Sequence, residues 1–129
     1  MKKVLILTLL LGILLTACGE RGESGNDAVY LNITAEEAKA LMDSEEGYII
    51  LDVRTQEEYD AAHIPGAVLI PLTEIADRAE TELPDKDQLI LIYCRSGNRS
   101  KQAAEILVGM GYTNIREFGG INDWPYEVE

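Results

Sequence analysis

Apolar and polar positions along the chain change period several times, and the changes mark its elements. Three short runs, Tyr48–Leu51, Val68–Ile70 and Leu89–Ile92, are continuously apolar instead of alternating. That is the pattern of strands covered on both faces at the centre of a parallel sheet. Two weaker segments, Tyr30–Ile33 and Asn114–Phe118, predict further strands and bring the sheet to about five, a usual size. Thr34-Ala35-Glu36-Glu37 and Thr55-Gln56-Glu57-Glu58 each fit a capping box, in which a threonine hydroxyl and a glutamate carboxylate satisfy each other's orphan N–H groups. Each predicts a helix start. From Arg99 to Met110, Ala103, Ile106, Leu107 and Met110 recur at helical spacing, and Gly111 is placed to end that helix. Strands alternating with helices predict a three-layer α/β/α domain around a central parallel sheet, with ligands bound beyond the carboxyl ends of the strands.

The first 27 residues lie outside this pattern. Lys2 and Lys3 precede an apolar stretch, Val4 to Leu15, broken only by Thr8 and Gly12, and small residues follow. Residues 1–17 therefore read as a secretory signal peptide, since a membrane-spanning helix needs about 20 apolar residues. The ending Leu15-Thr16-Ala17-Cys18 resembles a bacterial lipobox, which implies cleavage before Cys18 and lipidation of its thiol. The competing reading is a plain signal peptide with an incidental Cys18. Residues 18–27 are polar and rich in glycine, as expected of a flexible tether. Residues 28–129 then form a single domain of ordinary size.

Charge narrows the partners. The formal net charge is −12, and two units more negative once Lys2 and Lys3 are removed. So acidic a protein is not expected to bind nucleic acid or to hold anionic lipid by a polybasic patch. Membrane attachment would come from the lipid on Cys18, which implies an exported protein anchored at a bacterial membrane. With Cys18 lipidated, Cys94 has no intramolecular partner, and an unpaired thiol in an exported protein is a liability unless it is used or buried.

Cys94 is where chemistry is expected. Cys94-Arg95-Ser96-Gly97-Asn98-Arg99-Ser100 joins an apolar strand to a helix. A helix N-terminus offers unpaired N–H groups and the positive end of the macrodipole, and two arginines flank the turn. Such surroundings lower a thiol pKa from roughly 8.5 toward neutrality. Gly97 permits close backbone approach, while Ser96, Asn98 and Ser100 add donors. An anion carrying transferable sulfur is the substrate such a cradle suits.

Asp52-Val53-Arg54, His63-Ile64-Pro65-Gly66-Ala67, the Cys94 loop and Gly119-Gly120 before Trp124, in this order, resemble a single-domain rhodanese over residues 29 to 126. The resemblance implies sulfur transfer: the Cys94 thiolate attacks the outer sulfur of thiosulfate or a similar donor, keeps it as a persulfide, and passes it to cyanide or a thiol. It implies Cys94 as nucleophile and the amides and side chains of Arg95, Ser96, Gly97, Asn98, Arg99 and Ser100 as donor ligands. No metal and no organic cofactor is implied, and one histidine with one available thiol supplies no ligand cluster. Thiosulfate, a persulfide and mercaptopyruvate all remain open as donors, and neither the acceptor nor the oligomeric state is indicated.

Two other readings compete. Cysteine phosphatases and arsenate reductases on this fold resemble a loop one residue longer, wide enough for a tetrahedral phosphate, and need a leaving-group acid that is not evident here. A catalytically idle module that binds an anion or a protein is the alternative of another class, in which Cys94 is only a small buried hydrophobe. Asp52 and Arg54 leave their strand on the same sheet edge as Cys94 and are expected to brace the site, or else to form a weak solvated ion pair. His63 and Trp124 are expected to pack, and Tyr93, by strand alternation, to point away from the cysteine's face.

Overall fold

A computed structural model describes residues 29–129. The leader expected over residues 1–17, Cys18 and the tether expected to residue 27 lie outside the described residues. Among the described residues five parallel strands run β1 (Leu31–Asn32), β2 (Ile49–Asp52), β3 (Val68–Leu69), β4 (Ile90–Cys94) and β5 (Ile115–Gly120). They lie in the order β1-β5-β4-β2-β3. Among the described residues four α-helices, α1 (Ala35–Ser44), α2 (Gln56–Ala61), α3 (Ile75–Glu82) and α4 (Asn98–Gly109), cover the two faces.

Strand β4 shows how the layers arise. All five of its residues are buried. Alternation sends Ile90, Ile92 and Cys94 to the face packed by Ala79, Leu83, Ala103, Ala104 and Leu107 of and beside α3 and α4. Leu91 and Tyr93 go to the opposite face, with Ala38 of α1, Ile64, Phe118 and Trp124. Burying each such aliphatic side chain contributes about 1.5–3 kcal/mol, so the strand needs no polar face at all.

Both capping boxes form. Thr34 accepts from the Glu37 amide and Thr55 from the Glu58 amide, and each glutamate returns to the threonine N–H. Helix α4 ends as a Schellman motif: Gly111, at φ 100°, and Tyr112 donate to the Val108 and Leu107 carbonyls. The left-handed φ is why a glycine follows Met110.

The apolar run Val68–Ile70 is not a central strand. β3 lies at the sheet edge and Val68 is 44% exposed, because a run this short cannot report whether a further strand lies beyond it. The less apolar β5 is interior instead, between β1 and β4. Helix α3 was not marked by any capping pattern, and its N-cap makes no side-chain hydrogen bond.

Candidate active site

Cys94 is the last residue of β4, and the chain must turn sharply beyond it to enter α4. Gly97 makes that turn at φ 108° as the N-cap of α4, a conformation that costs glycine little and other residues more. Gly120 makes room for it. A Cβ on Gly120 would lie 2.0 Å from the Arg95 carbonyl oxygen and 2.5 Å from the Ser96 nitrogen, and all of these are backbone atoms that cannot step aside. The loop thus rests on the end of β5, where Cys94 pairs with Gly120 and the Asn122 amide donates to the Arg95 carbonyl at 3.1 Å.

The loop folds over the sulfur. The Gly97 amide donates to Cys94 Sγ at 3.0 Å. Burial acts to raise the thiol pKa, but the Ser100 hydroxyl and the amides of Ser100, Gly97 and Ser96 outweigh it and hold the pKa below the ordinary value. These donors stabilise the thiolate, the form that attacks. Ser100 is itself buried. Its hydroxyl faces a carboxylate behind the loop, Glu117 Oε2, and also lies 3.0 Å from the Gly97 carbonyl.

Glu117 is 1% exposed and fully engaged. It accepts from the Gly119 amide at 2.8 Å and from Asn32 Nδ2 at 2.6 Å, and Lys101 Nζ lies 3.7 Å away. A charged side chain in β5 is therefore a tie between the loop, the helix and the edge strand. Sequence reading passed over it, although an acidic residue inside a strand and two positions before a Gly-Gly pair was a usable signal.

Arg95 and Arg99, expected to act together, are placed differently. Arg95 is exposed and makes no ion pair among the described residues. The Arg99 fork is occupied by Glu58, with Nη1–Oε1 at 2.7 Å and Nη2–Oε2 at 3.0 Å. Such bidentate pairs are among the stronger charged contacts, and the Arg99 guanidinium holds the Glu58 carboxyl down at about 2. Glu58 was recognised from sequence only as a cap. Asn98 opens α4, its side chain making none of the hydrogen bonds to Cys94 described above.

Asp52 and Arg54 are not a solvated pair. They are 0% and 5% exposed, and Arg54 Nη2 meets Asp52 Oδ2 at 2.7 Å. Arg54 also donates to the Ala62 carbonyl at 2.7 Å, and the Tyr93 hydroxyl donates to Asp52 at 2.6 Å while accepting from the Ile64 amide at 3.1 Å. The cluster braces the turn after α2 rather than the Cys94 loop itself. Tyr93 does lie on the face opposite Cys94, and burial pushes its phenol pKa up. His63 stacks on Tyr59 with ring centroids 3.8 Å apart and pairs its backbone with Glu129 in both directions. Trp124 packs on Phe118 and donates to the Glu127 carbonyl. Beside the loop, Arg54, Glu58, Arg95, Ile121, Trp124 and Tyr126 line a cleft of about 450 Å³.

The geometry has counterparts in known proteins. The model of the rhodanese-like domain matches residues 34–126. The thiosulfate sulfurtransferase PspE of Escherichia coli is 45% identical over 73 residues, which is 57% of this chain and 70% of that protein. The thiosulfate sulfurtransferase GlpE of Pseudomonas entomophila is 35% identical over 96 residues, covering 74% of this chain and 84% of the relative. A solved structure described as a rhodanese with anions from E. coli superposes with a TM-score of 0.60 at 40% identity, over 64% of this chain and 96% of that one. With a family match across most of its length and the same parallel sheet beneath the cysteine loop, the chain belongs to the rhodanese-like family.

Proposed function

We propose that the protein is a sulfurtransferase in which Cys94 carries sulfur as a persulfide between an anionic donor and a thiophilic acceptor. The observation that carries this reading is the thiol itself, enclosed by amide donors that lower its pKa. The thiolate attacks the outer sulfur of the donor. A Cys94 S–S bond forms as the donor's own sulfur bond breaks, and the departing group, sulfite from thiosulfate or a thiolate from a persulfide, takes the bonding electron pair. In the second half, cyanide or a thiolate attacks the outer sulfur, and Cys94 leaves again as thiolate. Each half exchanges one bond for another with no net oxidation.

The loop amides from Arg95 to Ser100 hold the negative charge that the attack concentrates, with the exposed Ser96 and Asn98 side chains at the rim and the buried Ser100 hydroxyl beneath the loop. Arg95 meets the donor's anionic end, while Arg99, engaged by Glu58, stands beside it in the first turn of α4. Asp52 and Arg54 keep the facing wall in place. We also propose that the protein acts outside the cytoplasm, held at a bacterial membrane by lipid on Cys18; metabolic labelling with a palmitate analogue, lost in Cys18→Ala, tests that.

The reaction is tested by thiocyanate formation from cyanide with thiosulfate or a small persulfide as donor. Cys94→Ser should abolish it with either donor. Turnover that survives this substitution would refute the mechanism.

A further inference from the structure

Four cations surround the Cys94 loop, and three of them face carboxylates. Arg54 is paired with buried Asp52, Lys101 lies against Glu117, and Arg99 is held through both fork nitrogens by Glu58. Arg95 alone makes no ion pair among the described residues. The mouth therefore carries one uncompensated guanidinium, inside a protein of net charge −12.

Glu58 is held where it is by a second interaction. It is the third residue of α2, and Oε1 accepts from the Thr55 amide at 3.0 Å as well as from Arg99. The helix start thus fixes a carboxylate at the mouth and, through it, the position of Arg99. Arg99 lies within Coulombic reach of the Cys94 sulfur, so a released guanidinium would add to the charge an incoming donor meets.

Donors differ in what they ask of that charge. Thiosulfate attacked by a thiolate assembles three negative charges, whereas a singly charged persulfide assembles two. We propose that Glu58 is a donor-specificity residue: by engaging Arg99 it leaves the mouth with a single unpaired cation and biases Cys94 toward singly charged sulfane donors over thiosulfate. This rests on the sulfurtransferase reading and names the donor class for it. Glu58 acts through Arg99 and is a positioning residue, not a catalytic one.

Glu58→Gln tests the inference on the full protein, because glutamine at this position still completes a capping box while removing the charge. KM for thiosulfate should fall about tenfold and KM for cysteine persulfide only about threefold, since the interaction scales with donor charge. Adding Arg99→Gln to that variant should cancel the gain for thiosulfate. A thiosulfate KM that is unchanged or raised in Glu58→Gln overturns the inference, as does an equal change for both donors. Thermal unfolding of each variant reports whether the fold is kept; if Glu58→Gln does not fold, Glu58→Met must show the same donor-dependent split, and its absence there overturns the inference equally. A wild-type protein that takes sulfur from neither donor instead overturns the sulfurtransferase reading, and this inference with it.

Discussion

Two arginine–carboxylate pairs lie on the same edge of the sheet, and burial divides their work. Asp52–Arg54 is sealed at 0% and 5% exposure and tied to Tyr93 and the Ala62 carbonyl. Glu58–Arg99 is about one-third to one-quarter exposed, at 26% and 31%, beside the cysteine loop. A buried pair is held in place by its own partners, and removing one member leaves an uncompensated charge in the interior. A pair at the mouth is cheap to open because water takes up either charge, which makes it suitable for tuning a substrate's affinity. The same two side-chain types thus serve the fold in one place and the chemistry in the other.

Breaking the sealed pair should have the largest effect on stability. Asp52→Ala strands Arg54 in the interior and should cost about 3–5 kcal/mol, read as a lower urea midpoint. Tyr93→Phe keeps the pair but removes a hydrogen bond to a charged group and leaves the Ile64 amide unpaired. It should cost about 1.5–3 kcal/mol in the same measurement. Arg99→Ala should cost less than Asp52→Ala, because Glu58 keeps its Thr55 cap and is a quarter exposed to water, yet raise the KM for thiosulfate, because Glu58 is left as a bare anion at the mouth. Equal stability losses for Asp52→Ala and Arg99→Ala would erase the distinction between the pairs.

The smallest effect is one of pH. The Glu58 carboxyl sits at about 2 in the folded protein against an ordinary 4.5. Its depressed value means that the contribution to stability is complete above pH 4.5 and is lost as pH falls toward 2. Glu58→Gln should therefore lower the melting temperature by less at pH 2 than at pH 6. A constant difference across that range would show that the ion pair contributes nothing to stability.

Much of this was legible in the chain because the signals were local. The capping boxes at Thr34 and Thr55, the glycine stop after α4 and the two-sided burial of Ile49–Leu51 and Leu89–Ile92 each depend on neighbours within a few residues. What lay beyond reach is set by distant partners. Glu58 and Arg99 are separated by 41 positions, as are Tyr93 and Asp52. Nothing near Glu58 distinguishes it from Glu37, which fits the same box on α1 and is exposed. The edge position of Val68–Leu69 and the interior position of β5 likewise follow from sheet order, which hydrophobicity alone does not encode. The cysteine loop could be singled out because its chemistry and its turn are contiguous; its supports could not.

The central claim is that Cys94 carries the sulfur. Intact-protein mass spectrometry after exposure to thiosulfate or cysteine persulfide, then after cyanide, tests it most directly. The account predicts a gain of one sulfur atom per chain, localised to Cys94, absent in Cys94→Ser and discharged as thiocyanate. A folded protein with a titratable Cys94 that gains no sulfur from either donor would contradict it.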